Sequence, residues 1–388
     1  MNNPVARGGM AVLVVGHIAG MVDMVALPLW VGVLMQTHQY TPQMAGLAVT
    51  SFLLAVALTS MALSPMFTRL PRRAVAVVGY GLAAGCFYAA AGITAGAGPM
   101  SKMLFLHALA GVGVGAGLSM TYGGMGRTPN PHRMFAIAHA LLGIFAVGFL
   151  GLMPKAIQSI GGHNPFPPFS PIMLGGGLGV ALRGPPLRAK DARRGGSPPK
   201  IPHAAWLAIA AVIFLTLNYG MTFSFIERVG VERGFAASMV AGVLLALGLI
   251  NLVPGPLAAV LERRVSAVSV GMIAPAIQAL LALVVFNALD FLPYAVAAAF
   301  CVFPVMFGHI FLFGLIARLD SSGRATASTP AMVMIGSSAG PLLGGTLVQF
   351  LGYTAVGATA VFIALFSITA CYLIGRSERT AVLAREAA

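Results

Sequence analysis

Twelve long apolar segments follow one another along the 388-residue chain, mostly with short loops between them. Each has the roughly 20 predominantly apolar residues that a helix needs to cross a bilayer. Only 8% of the residues are charged, against about 25% in a water-soluble domain. The sequence therefore predicts an all-α polytopic membrane protein. The predicted spans are residues 11–35, 42–66, 74–97, 102–125, 134–154, 165–183, 204–226, 235–260, 265–287, 291–316, 327–350 and 354–375.

The distribution of basic residues supports this number of spans. With the N-terminus in the cytoplasm, 19 of the 23 Lys and Arg residues fall in cytoplasmic segments, which is a strong positive-inside bias. We therefore expect a bacterial inner-membrane protein with both termini in the cytoplasm. The net charge of +14 does not indicate nucleic-acid binding, because the basic residues are distributed between the apolar segments and form no single basic stripe.

A basic segment containing Pro and Gly, Arg183–Lys200, is the longest polar stretch of the chain and indicates a flexible linker. We therefore predict a six-helix bundle over residues 1–183, a cytoplasmic linker over 184–203 and a second six-helix bundle over 204–388.

A similar ten-residue motif occurs once in each half of the chain. "SPMFTRLPRR" runs from Ser64 to Arg73 and "GPLAAVLERR" from Gly255 to Arg264, and both close on Arg-Arg. Each copy follows the second span of its half on the cytoplasmic side. Two halves of the same orientation with a repeated loop are typical of secondary transporters. With the helix number and the linker, the whole chain resembles the major facilitator superfamily, which implies two pseudo-symmetric six-helix bundles and alternating access.

The resemblance implies a role for the repeated loop as a conformational latch between the halves. Thr68 stands where the family has an Asp. The alternative is that the arginines only set the membrane topology. The candidate latch residues are Ser64, Thr68, Arg69, Arg72, Arg73, Gly255, Arg263 and Arg264.

A second family pattern, G-x-x-x-G-P-x-x-G-G, is matched by "GSSAGPLLGG" in the eleventh span. In the family it marks antiporters when it lies in helix five, and here helix five lacks the Gly-Pro pair. Small residues let helices approach closely, so we assign the motif to helix packing. Its residues are Gly336, Gly340, Pro341, Gly344 and Gly345.

Asp23 is the acidic residue nearest the middle of an apolar span. An ionisable side chain at that depth is costly and is functional by default, so we predict a proton or substrate site. The alternative is a protonated Asp that is hydrogen-bonded to a neighbouring helix. The resemblance implies a cavity lined by helices one, four, seven and ten, with His107 at the position of a buried Arg of the family. The further candidates on these helices are His17, His107, Asn218, Tyr219 and His309.

We predict structural roles, and no part in the site, for Trp30 and for the three cysteines. Trp30 fits an aromatic belt at the outer membrane surface better than a site. The three cysteines lie in apolar runs without metal-ligand spacing, so we expect no metal site and no cofactor.

The sequence also bounds the function. There is no P-loop and no hydrolase or zinc-protease motif, which argues against direct use of ATP and against an enzyme. Met, Phe and Gly dominate the spans, and this suits an adaptable cavity for amphipathic solutes. We expect a monomeric proton-coupled antiporter that exports amphipathic small molecules. The alternatives are proton-coupled uptake of an organic acid or metal chelate, and a sensor or assembly protein that does not transport.

Overall fold

A computed structural model describes residues 4–63, 66, 70–93, 99–125, 128, 131–159, 166–183, 201–320, 325 and 329–386. Within these residues the longer elements are fourteen α-helices and there is no strand, which confirms the predicted all-α class. The chain divides into two compact units, Met1–Gly195 and Gly196–Ala388. Residues 184–200 of the predicted linker lie outside the described ranges, so the linker stays a prediction.

Six helices form the first unit, one for each predicted span. They are α1 (Pro4–Gln36), α2 (Pro42–Leu63), α3 (Arg72–Ala91), α4 (Met100–Met125), α5 (Pro131–Ser159) and α6 (Phe166–Arg183). Helix α4 packs against α1, α2 and α3, while α1 also contacts α5 and α6. The largest fully buried side chains of this unit include Trp30, Tyr80 and Phe52.

The second unit has eight helices where six spans were predicted. They are α7 (His203–Glu232), α8 (Ala237–Ile250), α9 (Pro254–Leu261), α10 (Ala267–Asn287), α11 (Phe291–Phe300), α12 (Phe303–Leu319), α13 (Thr329–Leu351) and α14 (Tyr353–Glu386). Helix α7 is the centre of this unit, since it contacts α13, α14 and α12.

Two of the predicted spans, 235–260 and 291–316, are each broken into a pair of helices. Pro254 begins α9 four residues after α8 ends at Ile250, and Pro304 lies in the first turn of α12 just after α11. Proline has no N–H and its ring clashes with the preceding turn, so it readily begins a helix but breaks one that is under way. Because α8–α9 and α11–α12 each make one crossing, the fourteen helices correspond to the twelve predicted spans.

Length and composition agree with membrane crossing. Within the described residues, ten helical stretches are long and apolar enough to span a bilayer, when α8–α9 and α11–α12 are each taken as one stretch. Several helices extend beyond the predicted apolar segments: α7 continues to Glu232 and α14 to Glu386. Hydropathy marks only the part of a helix that lipid surrounds, whereas the helix itself continues into the polar region.

Candidate functional site

Asp23 lies near the middle of α1 and is almost completely buried, with 1% of its surface exposed. Neither carboxyl oxygen has a hydrogen-bond partner in the described part of the chain. The nearby backbone N–H groups of Asp23 and Met24 are engaged in the helix itself. A buried polar group without a partner costs free energy, and an ionised one costs much more. This carboxyl therefore has no structural role that its contacts can explain.

Tyrosines from two neighbouring helices lie within electrostatic range of this carboxyl. Asp23 interacts electrostatically with the phenol groups of Tyr80 on α3 and Tyr122 on α4. The Tyr80 hydroxyl donates a 2.8 Å hydrogen bond to the carbonyl oxygen of Gly16 and lies 3.3 Å from the Thr121 hydroxyl. The Tyr80 hydroxyl thereby contacts both α1 and α4. Sequence analysis missed both tyrosines.

His17, one turn and a half before Asp23 on α1, is also fully buried. Neither of its ring nitrogens has a hydrogen-bond partner within the described residues. Its ring centre lies 4.8 Å from that of His139 on α5 and 5.5 Å from that of Tyr122. The His139 Nδ1 lies 2.9 Å from the carbonyl oxygen of Phe135 and must donate to it. The other nitrogen of His139, Nε2, therefore carries a lone pair.

His107, in contrast, has both ring nitrogens engaged. Its Nδ1 donates to the carbonyl oxygen of Met103 at 2.9 Å, and its Nε2 accepts a 3.2 Å hydrogen bond from Trp30 Nε1. Phe52 and Phe87 pack against the Trp30 ring. Trp30 is 0% exposed, so the interpretation of this residue as part of a surface belt is wrong. These contacts favour a structural role for His107, and its predicted role in the site stays untested.

The three candidates of the second unit also pack within their own bundle. The Asn218 Nδ2 on α7 donates a 3.0 Å hydrogen bond to the carbonyl oxygen of Ala360 on α14. Tyr219 stacks on Phe223 with ring centres 5.1 Å apart, and His309 stacks on Phe313 at 5.3 Å. Asn218 Oδ1 has no partner in the described part of the unit, so this amide retains one acceptor for a ligand. A role of these residues in substrate binding stays a prediction.

The glycines of the eleventh-span motif lie along the contact between α13 and α7. A Cβ atom added at Gly340 would lie 2.5 Å from the carbonyl carbon of Gly220, and one added at Gly344 would lie 3.0 Å from the Phe225 ring. At Gly336 it would overlap Thr216 and the backbone of Ile213. Pro341 lies inside α13 without ending it. This geometry supports the assignment to packing, which stays a prediction.

The latch candidates are only partly described. Ser64, Thr68 and Arg69 lie outside the described residues, while Arg72 begins α3 and Arg73 follows it. In the second copy Gly255 lies inside α9, so most of this copy is helical and not a loop. The exposed side chains of Arg263 and Arg264 line a surface pocket together with Arg318, Glu262, Val265 and Ser266.

A polar cluster at the end of α7 was also missed. Arg228 forms an ion pair with Glu232, and Arg233 donates a hydrogen bond to the carbonyl oxygen of Phe286. Glu227 Oε2 has no partner among the described residues. The sequence carried a signal for this cluster, because four charged residues between 227 and 233 follow an apolar run. Glu227 follows the predicted span 204–226, so hydropathy alone gives no sign that its side chain is half-buried.

Comparison with known proteins identifies the class to which this fold belongs. The family model of the Major Facilitator Superfamily matches residues 12–322, so the chain belongs to this family of membrane transporters. No curated protein matches the chain in sequence.

Solved structures of the same fold cover nearly the whole chain. A bacterial homologue of the human lysosomal transporter Spinster, in an inward-facing and unoccupied conformation, aligns with a TM-score of 0.69 at 12% identity, over 98% of each chain. A D-xylose–proton symporter aligns with a TM-score of 0.72 at 11% identity, over 95% of this chain and 96% of its own. At these identities the likeness shows the fold alone.

Proposed function

We propose that this chain is a proton-coupled secondary transporter in which Asp23 carries the proton. The observation that supports the proposal is the buried Asp23 carboxyl, which has no hydrogen-bond partner within the described residues. Since no neighbour compensates an ionised carboxylate, the closed site favours the protonated form. When the transport cycle lets water reach the site, hydration stabilises the ionised carboxylate and the proton leaves.

Alternating access would convert this exchange into coupled transport. Members of this fold move their two halves so that a central site opens first to one side of the membrane and then to the other. If a proton and the solute occupy the site in turn, the inward proton gradient drives solute outward.

We further propose an amphipathic solute and outward transport across a bacterial inner membrane, with both termini in the cytoplasm. The support is compositional. The chain has 21 Met and 23 Phe residues, which suit an adaptable apolar cavity. Mid-span Lys or Arg residues, which would hold a multiply charged anion, are lacking in the predicted spans. The positive-inside distribution of the basic residues supports the orientation.

The test compares Asp23→Asn with Asp290→Asn, a matched control in the exposed turn between α10 and α11. Purified proteins are reconstituted in proteoliposomes that contain a pH-sensitive dye. The solutes offered are tetraphenylphosphonium as a lipophilic cation, a neutral amphipathic drug, and citrate as an organic acid.

We expect one of the amphipathic solutes to drive proton movement through the native protein and through Asp290→Asn, but not through Asp23→Asn. Asp23→Asn should still exchange labelled solute for unlabelled solute, because that reaction needs no net proton transfer. Proton movement of native size in Asp23→Asn would disprove the role of this carboxyl. If citrate alone moved protons, uptake or export of organic acids would replace the amphipathic class.

A further inference from the structure

The His17–His139 pair is the feature of the first unit that the proton mechanism does not use. Its two imidazoles come from different helices, α1 and α5, and their ring centres lie 4.8 Å apart. His17 is fully buried, and both of its ring nitrogens lack a hydrogen-bond partner within the described residues. The side chain of His139, in contrast, is exposed.

His139 has the arrangement that metal-binding histidines usually have. Its Nδ1–H is held by the Phe135 carbonyl oxygen, which fixes the ring orientation and leaves the Nε2 lone pair available. His107 has the same bond from Nδ1 to the carbonyl oxygen of Met103, but its Nε2 is already occupied by Trp30. The fold thus engages both ring nitrogens of His107, whereas both ring nitrogens of His17 lack a partner within the described residues.

The distance between the rings fits two imidazoles on one metal ion. Borderline metal ions bind imidazole nitrogen at about 2.0–2.1 Å, so a ring centre lies about 3.2 Å from the ion. Two such rings at adjacent positions of a square or tetrahedral ion have centres about 4.5 to 5.2 Å apart. The observed 4.8 Å lies inside this interval.

We infer that His17 and His139 bind a divalent transition-metal ion of borderline softness. Within the described residues no group of three or more His, Cys, Asp or Glu side chains could hold a metal. The protein thus supplies two ligands and leaves the other positions to water or a small chelator. An ion held by so few protein ligands can be released, which suits cargo better than a structural metal. Only this assignment as cargo rests on the proposed transport function.

Binding is tested with Co²⁺, whose visible absorption reports nitrogen ligation, on protein in detergent with any affinity tag removed. One arm uses Co²⁺ alone and a second arm uses Co²⁺ with one equivalent of citrate, which separates the free ion from its chelate. The variants are His17→Gln and His139→Gln, with the exposed His203→Gln at the start of α7 as matched control. Mg²⁺, which prefers oxygen ligands, serves as competitor.

In at least one arm we expect saturable Co²⁺ binding by the native protein and by His203→Gln, resistant to Mg²⁺. His139→Gln should weaken it by at least about tenfold, since even partners behind a ligand contribute 10- to 100-fold. Equal affinity in His139→Gln, displacement by Mg²⁺, or no binding in both arms would overturn the inference. If His17→Gln does not fold, His139→Gln decides alone, because its side chain is exposed. No proton gradient is present, so the result is independent of the Asp23 experiment.

Discussion

Adding a single methyl group at Gly340 should force α13 away from α7. The added Cβ would lie 2.5 Å from the carbonyl carbon of Gly220. The same substitution on the facing helix, Gly220→Ala, would place a Cβ 2.5 Å from the Ser337 carbonyl oxygen. Both clashing atoms belong to the backbone, so they cannot move away by a rotamer change as a flexible side chain could. The two helices can accept the methyl group only by moving apart.

The cost follows from this displacement. Carbon atoms pack best at about 3.5–4.0 Å, so a contact of 2.5 Å requires a local shift of about 1 Å. A gap of that size removes about a quarter to a half of the dispersion energy at each neighbouring contact. Overpacking of this kind costs about 1–3 kcal/mol. Gly220→Ala and Gly340→Ala combined should cost less than their sum, because one displacement accommodates both methyl groups.

The measurement is the apparent melting temperature in detergent, compared with Gly314→Ala on α12. An added Cβ at Gly314 meets no heavy atom within 4 Å, so this variant changes helix propensity without changing a contact. For a unit of this size, about 1 kcal/mol corresponds to about 2–4 °C. We therefore expect Gly340→Ala to melt several degrees lower and Gly314→Ala to melt at or slightly above the native temperature.

Equal melting temperatures of Gly340→Ala and Gly314→Ala would refute the packing argument. If Gly340→Ala kept its stability but lost transport, the motif would act in the transport cycle. Such a result would favour a role in antiport for the eleventh-span motif, like the role that the resemblance implies for this motif in helix five.

Two further predictions concern aromatic burial and pH. Of the two tryptophans, Trp30 is 0% exposed and Trp206 is 55% exposed. Trp206→Phe should therefore shift the fluorescence emission to shorter wavelength and reduce its collisional quenching, whereas Trp30→Phe should not. Burial lowers the pKa of His38, in the turn after α1, below its ordinary value of about 6.5. As the pH falls through that value the unfolded chain takes up the proton first, so the free energy of unfolding should decrease as the pH is lowered below about 6.5. The decrease should be less steep in His38→Gln, and an unchanged slope in melting experiments would contradict this.

The membrane spans were predictable because each one depends on a local property. A crossing helix must be apolar along its own length, so 42–66 or 102–125 can be recognised without knowing their neighbours. The breaks before Pro254 and Pro304 were within reach of the same local reasoning, because proline disrupts the helix ahead of it. Hydropathy averages over these positions, and the two broken crossings were therefore predicted as continuous.

The site was predictable only in part, because its contacts join helices that are distant in sequence. The position of Asp23 within an apolar span marked it as unusual, but its neighbours depend on how α1 packs against α3 and α4. Helix periodicity relates His17 to Asp23 on one helix and says nothing of His139 on α5. Trp30 was misread for the same reason, since an indole near a helix end looks alike whether it faces lipid or a buried imidazole.

Both units leave some buried polar side chains without a partner among the described residues. In the second unit Asn218 and Ser367 donate to the backbone of neighbouring helices, at 3.0 Å in both cases, and so help to hold the bundle together. Other buried polar side chains have no such partner among the described residues: His17 and Asp23 in the first unit, and Gln278 in the second. Polar groups that are left unsatisfied lower stability, and a fold keeps them where a ligand or a proton completes them. Of these three side chains Asp23 has the carboxyl that we propose as the proton site, so we expect proton coupling to depend on α1 and its neighbours.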